Sequence, residues 1–196
     1  MNTPKQLRDG VHQVYSAVAE QPEAEHPFAV GKQFAAGLGY PIDLLDRLPP
    51  VCVQTFTGVS NVSVFAELAA GARVLDLGCG SGMDSVIIAQ RVGPTGTVVG
   101  VDFSWAMLAR AQQAAIEAGL DNVHHWHAAA EDLPLQSGSV DVAVVNGLFN
   151  LNPARTAIFQ ELARVVRPGG RVFAAELILR EPGPAAEAVN FDDWFA

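Results

Sequence analysis

Basic charge is scarce in this chain. Only 12 of its 196 residues are Lys or Arg, against 21 Asp and Glu, for a net charge of −9. No basic stripe is visible, so a nucleic-acid partner is not expected. Cysteine is scarcer still. Cys52 and Cys79 cannot make a disulfide framework, and a reducing, cytoplasmic setting is the expectation. No apolar run is long enough to cross a membrane. The opening Met1-Asn2-Thr3-Pro4-Lys5 lacks the apolar core of a signal peptide. Internal repeats and low-complexity tracts are absent. What is abundant is apolar: 49% hydrophobic residues suit one globular α/β domain with a sizeable core and some additions.

The most informative stretch is Arg73-Val74-Leu75-Asp76-Leu77-Gly78-Cys79-Gly80-Ser81-Gly82-Met83-Asp84. An apolar strand runs into an acid, then into a loop with glycine at every second position, then into a helix. Such glycines let a ligand lie directly on the backbone. A dinucleotide loop presents amides to a pyrophosphate and has little use for a carboxylate beside it. Met83 also stands where the dinucleotide fingerprint has its third glycine. Asp76 suits a ligand carrying positive charge, and S-adenosylmethionine, with its ammonium and sulfonium groups, is one. Asp102 ends the next strand, 20 residues after Gly82, where a carboxylate can accept from both ribose hydroxyls.

Strands and helices alternate around these motifs. Strands are expected at Arg73–Leu77, Thr97–Val101, Asn122–His127, Val140–Val145 and Arg171–Leu179, the last after a Pro168-Gly169-Gly170 turn. Helices are expected at Met83–Val92, at Ser104–Ala118, and from Asn152-Pro153 to Val166. This order predicts a doubly wound, mainly parallel sheet covered on both faces. Residues 1–71 read as a helical preface, or lid, and 72–196 as the cofactor-binding domain. In the preface Thr3 would cap a helix with Leu7, Val11, Val14, Tyr15 and Val18 on one face, and Ser60 would cap a helix through Leu68. Phe191, Trp194 and Phe195 need a surface to bury against.

The ordered set Asp76 to Gly82, Asp102, Glu131-Asp132-Leu133-Pro134, Ser139-Val140-Asp141-Val142 and Arg167-Pro168-Gly169-Gly170 resembles the motifs of class I S-adenosylmethionine-dependent methyltransferases, over about residues 72–180. Within that class the chain is most similar to the arsenite methyltransferase group. Asn146-Gly147-Leu148-Phe149-Asn150-Leu151-Asn152-Pro153 resembles that group's Asn-Cys-Val-Ile-Asn-Leu-Ser-Pro run. His26-Pro27-Phe28, Leu38-Gly39-Tyr40-Pro41 and Phe56-Thr57-Gly58-Val59-Ser60-Asn61 are similar to leaders among its relatives.

The resemblance implies a Rossmann-like fold, S-adenosylmethionine as cofactor with S-adenosylhomocysteine as product, and methyl transfer to a small-molecule acceptor. Asp76, Gly78, Cys79, Gly80 and Gly82 would hold the methionyl and sugar side. Asp102 would hold the ribose, and Phe103 would lie beside the adenine. Ala130 would offer its N–H to an adenine nitrogen, and Asn146 would lie near the methionyl group. No catalytic residue is assigned.

The chain also departs from the pattern. Ala129 stands where many relatives place an acid for the adenine amino group, so Glu131 or water must substitute. Val59 and Gly147 stand where arsenite enzymes carry cysteines. Trivalent arsenic needs thiolates, so arsenite is not the expected acceptor. The antiparallel pair that completes a seven-stranded sheet is missing. A truncated fragment, or an edge covered by the terminal segment or by a partner, is expected, and a homodimer through the fifth-strand edge is one such cover. His125 and His127 share a strand face without suggesting a metal site, and Trp105, Met107 and Tyr15 fit either a pocket wall or core. Two other functions stay open: cofactor binding without turnover, and an NAD-dependent oxidoreductase.

Overall fold

The computed structural model describes residues 4–178. Five parallel strands form one sheet in the order β3-β2-β1-β4-β5. They are β1 (Arg73–Leu77), β2 (Thr97–Asp102), β3 (Val123–His127), β4 (Val140–Asn146) and β5 (Val166–Ala175). The central strands β1 and β4 are apolar and buried on both faces, as a sheet covered by helices on each side requires. One face packs Val74, Val98, Val142 and Val144 against α5 (Val62–Phe65) and α6 (Met83–Val92). The other packs Leu75, Leu77, Val101, Ala143 and Val145 against Ile158, Leu162 and Val165 of α8 (Arg155–Val165). The chain runs outward from β1 through β2 to β3, then returns to the far side of β1 as β4. The direction of winding therefore reverses between β1 and β4, and a crevice opens at their C-terminal ends.

The preface forms α1 (Pro4–Glu20), α2 (Gly31–Gly37), α3 (Ile42–Leu45), α4 (Pro50–Val53) and α5. Its apolar residues Tyr40, Leu45, Cys52, Val53 and Phe56 bury against Met83, Val86, Ile87 and Ala114. Val18 and Ala19 of α1 bury against Met107 of α7 (Trp105–Glu117). The predicted apolar face of α1 is present, with Val11 and Val18 buried. The Thr3 cap, the strand end at Leu179 and the terminal aromatics lie outside the described residues.

Two expectations are corrected. The helix expected from Ser60 to Leu68 is a single turn flanked by Asn61 and Ala66, and the Arg91 guanidinium takes the carbonyls of Ser63, Val64 and Ala66 that a longer helix would use. The fifth strand starts at Val166 rather than Arg171. Val140 pairs with Val166 and Val142 with Arg171, so the Arg167–Gly170 turn is carried as a bulge inside the strand. Asp141 accepts from Arg73 N at 2.7 Å and from Arg167 Nε at 2.6 Å beside that bulge.

Candidate functional site

A cavity of about 400 Å³ opens at the C-terminal ends of the strands, within the ordinary size range of ligand pockets. The loop after β1 builds its floor. Gly78, Gly80 and Gly82 all have φ between +51° and +83°, a region side chains avoid. The three differ in what surrounds them. A Cβ on Gly80 would meet nothing within 4 Å, whereas one on Gly82 would lie 2.9 Å from Ala111 Cβ, and one on Gly78 2.9 Å from Leu148 Cδ1. Gly78, Cys79 and Gly80 line the cavity. Gly82 stands behind it, where its missing side chain lets α6 and α7 approach.

Three buried carboxylates line the same space: Asp76, Asp84 and Asp102, at 2%, 6% and 8% exposure. Asp76 accepts from Ser85 Oγ at 2.5 Å. Asp84 accepts from Tyr40 Oη at 2.6 Å, from Asn146 Nδ2 at 2.9 Å and from Ser63 Oγ. Asp102 accepts from Gly80 N at 2.9 Å and Ser104 N at 2.8 Å. Every one of these donors is neutral. Burial, reinforced by the Asp84 charge, pushes the Asp76 carboxyl well above the usual carboxylate range. Burial also raises Asp84 and Asp102, against the pull of their hydrogen-bond donors. Burial raises the Cys79 thiol, so it stays protonated near neutrality.

The adenine-side residues expected from the sequence come to the same cavity: Phe103, Ala129, Ala130 and Glu131 all line it. The Glu131 carboxylate is engaged, paired with Arg8 of α1 and accepting from Asn152 Nδ2 at 3.0 Å. Asn146 also reaches the cavity, but its side chain is engaged by the preface as well as by Asp84. Its Oδ1 accepts from Val59 N at 2.9 Å and Ser60 N at 3.1 Å, and its Nδ2 donates to Ser60 O at 2.8 Å. Gly58 is required there, since a Cβ would come within 2.5 Å of Asn146 Nδ2.

The preface closes the opposite wall with Arg8, His12 and Tyr15 of α1 and with the run Thr55 to Gly58. Burial raises the Tyr15 phenol, helped by Asp102 and Glu176, so it is neutral. His12 packs on Phe103 with ring centroids 5.5 Å apart. Val59 and Gly147 are neighbours, a Gly147 Cβ falling 3.0 Å from Val59 Cγ1. The two positions come together in space and neither offers a thiol.

The other candidates sort differently. Met107 is core, and Trp105 is 68% exposed, stacked on His127 with centroids 4.1 Å apart. His127 Nε2 lies 2.8 Å from Phe103 O. His125 sits behind the glycine loop, 2.8 Å from where a Gly100 Cβ would be. Its Nε2 is buried with no hydrogen-bond partner among the described residues, and burial pushes it down to about 4. A histidine held neutral by the fold contributes stability above its unfolded pKa of 6.5, lost as pH falls toward 4. Denaturant titration should therefore show His125→Gln losing less stability than the parent between pH 7 and pH 4.5. Parallel losses would remove this histidine as a cause.

Asp84, Thr55 and the Tyr40–Ser63–Asn146 network were not singled out from sequence. Asp84 had one usable signal, an acid in the first turn of the helix that follows the glycine loop. Tyr40 and Ser63 lie far from Asp84 in the chain and had none, and for Asn146 the resemblance gave its place near the site but not these partners.

A model of the methyltransferase domain matches residues 68–189. An arsenite methyltransferase of Halobacterium salinarum is 38% identical over 127 residues, 65% of this chain and 32% of that protein. A demethylmenaquinone methyltransferase of Oceanobacillus iheyensis is 38% identical over 111 residues, 56% of this chain and 46% of that protein. The chain thus spans less than half the length of either relative. Among solved structures, the [4+2]-cyclase SpnF superposes with a TM-score of 0.63 at 25% identity, covering 92% of this chain and 62% of that one.

Proposed function

Because the chain belongs to the methyltransferase domain family, we propose that it transfers a methyl group from S-adenosylmethionine to a small-molecule acceptor. The observation that carries this reading is the set of three buried carboxylates, Asp76, Asp84 and Asp102, on one cavity with neutral donors around them. Among the described residues lining that cavity Arg8 is the only Lys or Arg, and it is paired with Glu131. Buried acids left without a cation favour a ligand that brings one. A pyrophosphate would meet repulsion at the same place, which disfavours an NAD-dependent oxidoreductase.

The residues fit the cofactor. Gly80 leaves open space for it against the loop backbone, with Gly78 beside it; Asp76 would hold its charged methionyl end, and Asp102, with lone pairs to spare, would hold the ribose. Phe103 and Ala130 would hold the adenine. Glu131, held by Arg8 and Asn152, fastens α1 over that end, and Asn146 serves by holding the preface in place. When bound, S-adenosylmethionine supplies a methyl group on a positively charged sulfur, which calls for an aligned nucleophile more than for a base. The chain's part is to align that nucleophile and exclude water, with α1 and residues 55–58 as the cover.

The acceptor end is bounded by Tyr15, Phe56, Thr57, Gly147 and Leu148. With Val59 and Gly147 in contact and no thiolate there, arsenite is disfavoured and an acceptor bearing a neutral or carbon nucleophile is favoured. A labelled-methyl assay against a panel of thiols, hydroquinones and amines tests the reading. Formation of S-adenosylhomocysteine above the protein-free rate supports it. Cofactor binding with no product from any acceptor would favour the second reading, binding without turnover, which the similarity to a protein named as a cyclase keeps open.

The strand β5 is a sheet edge among the described residues, and pairing through it is our proposed route to a homodimer. Size-exclusion chromatography should show a dimer; a monomer at all concentrations contradicts this.

A further inference from the structure

The proposed ligand carries a carboxylate as well as its cationic groups, and among the described residues no lysine, and no arginine but Arg8, lines the cavity to receive it. Arg8, the one guanidinium on the wall, is committed to Glu131 on the adenine side. With no lysine or free arginine there, neutral donors are left to meet the amino-acid carboxylate. One such donor stands out. Thr55 is 1% exposed, lines the cavity, and its Oγ1 has no hydrogen-bond partner among the described residues. An unpaired buried hydroxyl is costly to keep, and valine would fill the same volume without that cost.

The neighbours of Thr55 fix its place in the site. It follows α4, whose Cys52 O accepts from Ser81 Oγ of the glycine loop at 2.9 Å. Its neighbours Val53 and Phe56 pack with Met83, the first residue of α6. The segment that carries Thr55 is thereby tied to the glycine loop and to α6. Asp76 and Asp84 line the cavity beside that loop and suit an ammonium group.

Resting on the cofactor reading above, we propose that the Thr55 hydroxyl donates to the ligand's amino-acid carboxylate, making the preface a direct part of the cofactor site. Thr55 is then a binding residue whose unpaired state without ligand is offset when ligand arrives.

Calorimetric titration of the full chain with S-adenosylmethionine and with 5′-methylthioadenosine tests this. The second ligand keeps the nucleoside and sulfur but lacks the amino acid. Thr55→Val should weaken S-adenosylmethionine by on the order of tenfold or more, the scale of a hydrogen bond to a charged group. It should leave 5′-methylthioadenosine within about twofold of the parent, and Thr55→Ser should restore most of the loss. The ligand-free melting temperature of Thr55→Val should be unchanged or raised. Equal weakening of both ligands, or no weakening of either, would overturn the assignment. If the parent chain binds neither ligand, the cofactor reading fails, and the Thr55 proposal with it.

Discussion

Gly80→Leu is expected to abolish S-adenosylmethionine binding while the protein still folds. Gly80 has φ +51° and open space where its Cβ would be. That space is the cavity itself, so a leucine there occupies the volume the ligand needs. The backbone penalty for a side chain in the left-handed region is about 1–2 kcal/mol. For a domain of this size that lowers the melting temperature by roughly 2–8 °C. The same change at Gly82 should do the opposite. Its Cβ would lie 2.9 Å from Ala111 Cβ and 3.0 Å from Ala111 Cα, so even alanine separates α6 from α7. Overpacking of that kind adds about 1–3 kcal/mol to the backbone penalty. Thermal unfolding and calorimetry on the two variants separate the roles. A folded Gly80→Leu that binds normally would sink the loop assignment.

Asp102→Ala carries the second large effect. Its carboxylate closes the second strand, accepts from Gly80 N and Ser104 N, and keeps lone pairs for a ribose. Removal takes away charge-assisted hydrogen bonds to the ligand and one tether of the glycine loop. The expected loss in affinity is about 1–3 kcal/mol, from roughly fivefold to more than a hundredfold. A 2′-deoxy form of the ligand isolates the ribose contribution in a double-mutant cycle. The parent should discriminate against the deoxy form, and Asp102→Ala should not. Equal discrimination by both would place the effect in the loop tether instead.

The sheet was legible because its signals are local. Apolar strands, glycine stops at Gly93 and Gly119, and the Ser104 cap each act over a few residues. Ser104 Oγ does accept from Met107 N, at 3.3 Å. The cofactor end was legible for the same reason, since the acid–glycine loop and Asp102 are contiguous with the strands that aim them. The preface was not. Its single-turn helices at α3, α4 and α5 have no side-chain caps and are held by distant partners. Tyr40, Ser63, Asp84 and Asn146 span 106 positions between Tyr40 and Asn146, and only the folded chain brings them together. Asn146 illustrates the limit: its place beside the cavity was readable, but its engagement with Val59 and Ser60 was not. Likewise, the hydroxyl of Thr55 looks like any loop threonine until its burial is seen. The bulge in β5 was hidden because Pro168-Gly169-Gly170 reads as a turn, and a turn carried inside a strand has the same composition.

The central claim is that this cavity takes a cationic methyl donor. Parallel calorimetric titrations of the intact chain with S-adenosylmethionine and with NAD test it most directly. Saturable binding of S-adenosylmethionine at one site per chain, with no heat from NAD, is the predicted result. Binding of NAD with no response to S-adenosylmethionine would contradict it.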